Sequence, residues 1–286
     1  MVPAVFVVNT TLDTVDANLG DGIAQDASGA TSLRAAIMEA NALAGNDTVQ
    51  LPAGVFGLSI APISTEDFAT DGDLDITSNI TVQGEAAATT ILDANLLDRR
   101  FDVTTAGDLF LRNVTLRNGL ADVGGAIRSF QGPVDIRDSV LSNNRATIRG
   151  GAIEISGVTG DILGVYNTTL SNSLANGSSN PGTPTGNGIG GAISASGSMQ
   201  VTLNQAVLSG NMSAGEGGGA RFALALEPAD HQLAVQRQSC GKRRRHSTDE
   251  YADQHLRHQL QRRQRRFGRG GDPVALLEHH DVPGDI

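Results

Sequence analysis

The sequence predicts an all-β fold, a parallel β-helix of stacked coils, with one helix near its N-terminal end. Three observations carry this reading. The tetrapeptide Gly-Gly-Ala-Ile recurs at Gly124–Ile127, Gly150–Ile153 and Gly190–Ile193, with a partial copy at Gly218-Gly219-Ala220. Before each copy stands a short apolar stretch closing on asparagine or serine: Val114–Asn118, Val140–Asn144, Thr169–Ser173 and Val207–Asn211. Strand-like content repeating every roughly 25–40 residues is the signature of a solenoid or array. Another all-β array is the rival architecture.

Taken in order, Phe6–Asn9 reads as a short strand followed by a polar loop through Asp26–Gly29. Ser32 then caps a helix whose apolar positions, Leu33, Ala36, Ile37, Ala40 and Leu43, follow i, i+3, i+4 spacing, with Gly45 as the stop. Such an amphipathic helix suits a lid over the open end of a solenoid, where strand edges otherwise stand unpaired. We therefore assign residues 1–47 to an N-terminal cap and 48–220 to the β-helix.

From Thr48 onward, short strands alternate with Gly, Asn and Asp turns: Thr48–Leu51, Val55–Ile60, Leu74–Ile76, Ile80–Gln83, Thr90–Leu92 and Phe101–Val103. Later coils align on one another. Three inward columns emerge: Leu109, Val134, Leu163, Val201; Leu111, Ile136, Val165, Leu203; and Leu116, Leu141, Leu170, Leu208. Alternation then places Phe110, Asp135, Gly164 and Thr202 outward, and likewise Arg112, Arg137, Tyr166 and Asn204. Asn113, Asp138, Asn167 and Gln205 share a column at a bend, where stacking at about 4.8 Å makes a polar ladder. The recurrent glycines fit a turn position that needs positive φ. Gly177–Gly188 reads as a loop inserted into the third coil.

Composition divides the chain sharply. Residues 1–220 hold 9 Arg against 22 Asp and Glu, with no Lys, His or Cys. Residues 221–286 hold 12 Lys and Arg against 9 Asp and Glu, all six His, Lys242 and Cys240, and no Asn. The acidic first part argues against nucleic acid or an anionic membrane as partner. No run of about 20 apolar residues is present to span a membrane. No basic region or cleavable apolar core precedes Val5–Val8, so no signal peptide is visible in this chain.

Two constellations carry candidate chemistry. Asp71, Asp73 and Asp75 alternate, which on a strand puts three carboxylates on one face, a candidate Ca²⁺ site with Asp67 close by; a polar turn before Leu74–Ile76 is the plainer alternative. Arg112 and Arg137 stacked beside Asp135 are candidate catalytic residues for a polysaccharide lyase or hydrolase; a solvated charge ladder is the alternative. No Lys or His precedes His231 to transfer protons, and Gly215–Gly219 lacks the Lys-Ser/Thr of a phosphate loop. No cofactor other than Ca²⁺ is indicated.

Thr31–Asn41, followed by Asp47–Gly54, Gly72–Ile76, Ile80–Gly84 and Leu97–Phe101, resembles the CSLREA domain at the start of many bacterial surface β-helix proteins. The Gly-Gly-Ala-Ile repeats resemble those of polymorphic outer membrane proteins, with Leu where Phe is usual. The resemblance covers residues 5–220 and implies a right-handed β-helix that is exported or displayed at the cell surface. Members often carry two cysteines where this chain has Ala24 and Thr31. The expected function is a non-enzymatic, adhesin-like or structural module meeting a polysaccharide or other cell-surface ligand. The alternative is a carbohydrate-active, pectate-lyase-like or polysaccharide-binding β-helix.

The tail, with Lys242–His246, Arg262–Arg266 and His255, His258, His279 and His280, reads as a basic arm, a metal site or a shifted reading frame. Gln236–His246 admits codons that, read one nucleotide later, give Ser-Gly-Asn-Leu-Ala-Gly-Asn-Gly-Gly-Gly. Leu260–Asp272 likewise yields a run ending in Gly-Gly-Ala-Ile. We expect a one-nucleotide frameshift near codons 219–221, leaving 221–286 as an irregular or disordered, non-native tail. Sequencing the gene checks this: the shifted frame should continue the repeats, and early stop codons there would end the idea.

Overall fold

The computed structural model describes residues 3–63, 68–177, 188–215, 217–224 and 234–236, all within a unit spanning Met1–Arg244. It is mostly strand, arranged in long parallel sheets of eight, six, six and four strands, compatible with a parallel β-helix or solenoid. The strands Asp108–Arg112, Thr115–Arg117, Leu120–Val123 and Ile127–Phe130 enter the first, second, fourth and third sheets in turn. The next coil, Val134–Arg137, Val140–Ser142, Arg145–Arg149 and Ile153–Gly157, pairs with them strand by strand, always parallel. Two further coils repeat the order, from Ile162–Tyr166 to Ile193–Gly197 and from Gln200–Asn204 to Ala220–Leu224. Among the described residues, the two earliest, Asn46–Leu51 to Leu74–Ile76 and Asn79–Gly84 to Phe101–Val103, contribute no strand to the fourth sheet.

Register confirms the aligned columns. Leu109, Val134, Leu163 and Val201 pair in sequence, as do Leu111, Ile136, Val165 and Leu203, and Leu116, Leu141, Leu170 and Leu208. All twelve are buried in one continuous core. The bend column Asn113, Asp138, Asn167 and Gln205 takes φ between 46° and 54° throughout, a left-handed geometry that Asn and Asp tolerate best among residues with a Cβ. Immediately after it, Ser139 Oγ donates to Arg137 O (2.7 Å) and Thr168 Oγ1 to Tyr166 O (2.8 Å), so hydroxyls satisfy the turn carbonyls from inside. At the next bend, buried Asn144 accepts the Gly119 N–H (2.9 Å), and Asn211 accepts that of Ser173 (2.9 Å) while donating to Leu170 O.

The two glycines of each repeat have different reasons. Gly124 has φ 61° where it turns the chain, and a Cβ on it would lie 2.2 Å from Ile127 O, in its own turn. A Cβ on Gly125 would lie 2.4 Å from both Arg145 O and Gly151 O, so here the close approach of adjacent coils excludes a side chain. The last repeat sits one residue earlier than the sequence alignment placed it: Ile193 pairs with Ala220, so Gly217–Ala220 stands where Gly190–Ile193 stands below. Gly217 accordingly carries φ 69°.

The array does not stop at Ala220. Ala220–Leu224 continues the third sheet and Ala234–Gln236 the first, both in register. The expectation of an irregular tail from residue 221 is therefore corrected for these strands: Ala220 and Phe222 supply the alternating apolar positions that pack on the core, with Arg221 between them. The interior of the loop Gly177–Gly188 lies outside the described residues, as does the rest of the tail. The boundary drawn at residue 47 falls inside Asn46–Leu51, whose strand pairs with Val5–Val7.

The helix spans Leu33–Ala42, with Ser32 Oγ accepting the Ala35 N–H (3.0 Å) at its start. It packs on Asn46–Leu51, Leu74–Ile76 and Asn79–Gly84. It is not amphipathic in the expected sense, because every residue from Leu33 to Ala40 is buried. The polar faces are covered too: Arg34 donates to Asp13, Ala69 O and Gly72 O, and Glu39 accepts the N–H groups of Gly20 and Gly22. Among the described residues no helix is long and apolar enough to cross a membrane.

Gly124→Ala should cost about 1–3 kcal/mol or more, because an alanine there is left-handed and also brings its Cβ to 2.2 Å from Ile127 O. Gly125→Ala should cost about 1–3 kcal/mol or more, because backbone rather than side chain must yield. Denaturant midpoints of the two variants check this, and equal small losses would show that the coils do not meet at Gly125.

Candidate functional site

The sequence-predicted trio comes together on the outer face of the first sheet. Asp135 lies between two guanidiniums, 2.7 Å from Arg112 Nη1 and 2.9 Å from Arg137 Nε. The Arg137 guanidinium also rests over the Tyr166 ring at 4.5 Å, and that of Arg112 near Phe110 at 5.9 Å. Both Asp135 oxygens are engaged, since Arg137 Nη2 donates to Oδ2 (3.1 Å). This is the geometry of a ladder of stacked outward side chains.

Asp71, Asp73 and Asp75 do not converge. Asp71 and Asp73 precede the strand Leu74–Ile76, so strand alternation does not govern them. Asp71 Oδ1 accepts the Ile63 N–H, Asp75 Oδ2 accepts the Ala69 N–H, and Asp73 faces Arg99 Nη1 at 3.4 Å. Among the described residues no group of three or more His, Cys, Asp or Glu is arranged to hold a metal ion. Asp67, the tail histidines and the basic runs Lys242–His246 and Arg262–Arg266 lie outside the described residues.

A groove lies on the third sheet. Phe101–Val103, Ile127–Phe130 and Ile153–Gly157 lie side by side and present Asp102, Arg128 and Glu154 as one outward column. Phe130 and Ser156 form a second. The fourth sheet begins here and supplies the facing wall, with Asp122 and Val123 on one strand and Ile148 and Arg149 on the next. The register shift between Ala121 and Val123, a bulge, re-aims that wall. Together they enclose a groove of about 590 Å³.

Its charges are paired. Arg128 holds Asp102 through Nε (2.8 Å) and Nη2. Arg99 reaches Asp102 (3.2 Å), Asp122 (2.9 Å) and Asp73 (3.4 Å), and Arg149 Nε meets Glu154 Oε1 at 2.9 Å. Burial pushes the Glu154 carboxyl above its ordinary value, and the bond and charge of Arg149 only partly oppose this. Asp73 behind the groove rises further for the same reason, with Arg99 opposing and the charges of Asp98, Asp102 and Asp75 adding to the rise. Asp13 goes the other way: burial alone would raise it, but Arg34 and the amides of Ser59 and Ile60 together bring it below its usual range.

Sequence reasoning missed this groove because it aligned the first and second sheets only. The signal was present: the residue after each Gly-Gly-Ala-Ile must point outward if the isoleucine points inward, which yields Arg128, Glu154 and Ser194. Compared with protein-family models, curated proteins and solved structures, the chain finds no match.

Because folded Glu154 holds its proton more tightly than the unfolded chain does, its stabilising contribution is full below the ordinary value of 4.5. That contribution is lost as pH rises through the raised folded value. Glu154→Gln should therefore lose less stability than the wild type between mildly acidic and neutral pH, as followed by thermal melting. Parallel profiles for the two proteins would show that burial of Glu154 does not control this range.

Proposed function

We propose that this chain is a right-handed parallel β-helix, closed at its N-terminal end by Leu33–Ala42, that acts outside the cell as a non-enzymatic, adhesin-like module binding polysaccharide in the groove of the third sheet. The handedness is supported by the connections, since a chain that leaves a sheet and re-enters it parallel does so right-handedly in about 98% of cases. The closing role of the helix is supported by its packing on the strands of the first two coils. Export is supported by the resemblance of Thr31–Asn41 and the segments that follow to the CSLREA domain.

The observation that carries the binding reading is that each carboxylate in the groove is held by a guanidinium. A general acid or base must be free to exchange a proton with substrate, whereas paired side chains give a fixed array of donors and acceptors. A second reading, a carbohydrate-active enzyme, draws on Asp102 and Glu154. They stand two strands apart in one outward column, and glycosidases work with a pair of carboxyl groups.

Incubation with a panel of polysaccharides separates the two. Retardation in affinity electrophoresis without release of reducing sugar or unsaturated uronide is the expected result. Release of either product would establish the enzyme instead.

A further inference from the structure

We infer that the groove takes a neutral polysaccharide, its sugar rings stacking on Phe130 while the neighbouring pairs Arg128–Asp102 and Arg149–Glu154 hydrogen-bond vicinal hydroxyls. The inference rests on the polysaccharide-binding reading and names the class of ligand and the residues that select it.

Phe130 is 55% exposed on the groove floor, beside the exposed Ile148. A single exposed ring is ordinary on a protein surface, but this one stands in the outward column next to the one that holds Asp102, Arg128 and Glu154, in register with Ser156. The Arg128 and Arg149 side chains are 37% and 45% exposed, while their partners Asp102 and Glu154 are nearly covered. Each pair therefore shows solvent a guanidinium with unused N–H groups, its orientation fixed by a carboxylate beneath. Aromatic floor and a few fixed polar groups are the makings of a small-molecule or glycan subsite.

Charge decides the class. An anionic polymer needs guanidiniums whose charge is uncompensated, and here both are already neutralised, with Asp122 adding a further carboxylate at the rim. The surrounding chain, with 9 Arg against 22 Asp and Glu over residues 1–220, repels polyanions in addition. A cationic polymer needs an open carboxylate, and Asp102, Asp122 and Glu154 each face arginine. Neutral sugars carry paired donors and acceptors without net charge, which is what such ion pairs match. Three adjacent strands give a floor of about 10 Å between outer backbones, room for about two rings.

The test uses the full chain with neutral glucans, mannans and galactans, a uronate polymer and chitosan. Binding is measured by affinity electrophoresis and calorimetry in dilute buffer and in ~1 M salt, where charge attractions are screened within about 3 Å. The expected result is binding to a neutral polymer that salt leaves unchanged, weakened about tenfold by Phe130→Ala, as for loss of one stacked ring, and restored by Phe130→Tyr. Circular dichroism confirms that the variants are folded. Salt-sensitive binding to the uronate polymer or to chitosan alone would overturn the ligand class and leave the binding function standing. Neutral-glycan binding indifferent to Phe130→Ala would overturn the site. No binding to any polysaccharide would overturn the proposed function itself.

Discussion

Each coil must re-enter the same sheets one strand spacing, about 4.8 Å, beyond the last, and everything else depends on the turns that make this return. Three columns of left-handed residues do so: Asn113 to Gln205 between the first and second sheets, Asn118, Asn143, Asn172 and Gly210 after the second, and Gly124, Gly150, Gly190 and Gly217 before the third. Because the same geometry recurs at the same place in each coil, strands pair in register and side chains stack on their own equivalents. A branched residue in any of these columns would displace the strands on both sides of it.

That stacking fixes what the interior may contain. Apolar columns bury without cost, but turn carbonyls and amides also point inward and need partners. Buried Ser139, Thr168 and Asn144 and half-buried Asn211 provide them. Arg100 is the contrasting case. Its N–H bonds to Ala126 O as Ala126 bonds to Ala152 O, so an arginine occupies the column that alanine fills in later coils. Burial lowers its guanidinium to about 10, with the nearby Asp13 opposing that fall.

The same turns create the groove. Where the chain gains a strand between the second and third sheets, at Leu120–Val123, a ridge rises beside the outward face of Phe101–Val103, Ile127–Phe130 and Ile153–Gly157. Charges that alternate on that face then meet charges from the ridge. Arg99 ties Asp73, Asp102 and Asp122 into one network across three segments of chain, and Arg128 joins Asp102 across adjacent strands.

By itself, the sequence determined the repeat, its inward columns and the polar bend ladder, because these depend on spacing within a coil and every coil repeats the experiment. It also located the Ser32 cap and the Arg112–Asp135–Arg137 cluster, whose members share one outward face. It misjudged the last repeat by one residue, since consecutive glycines at Gly217–Gly219 look alike until Ile193 finds Ala220. It grouped Asp71, Asp73 and Asp75, which the turn before Leu74 sends to separate partners. Only the tertiary structure decided the groove, the burial of Arg34 and Glu39, and the pairing of Arg149 with Glu154. Periodicity encodes which way a side chain faces; which charge waits opposite depends on the wall that another sheet brings to it.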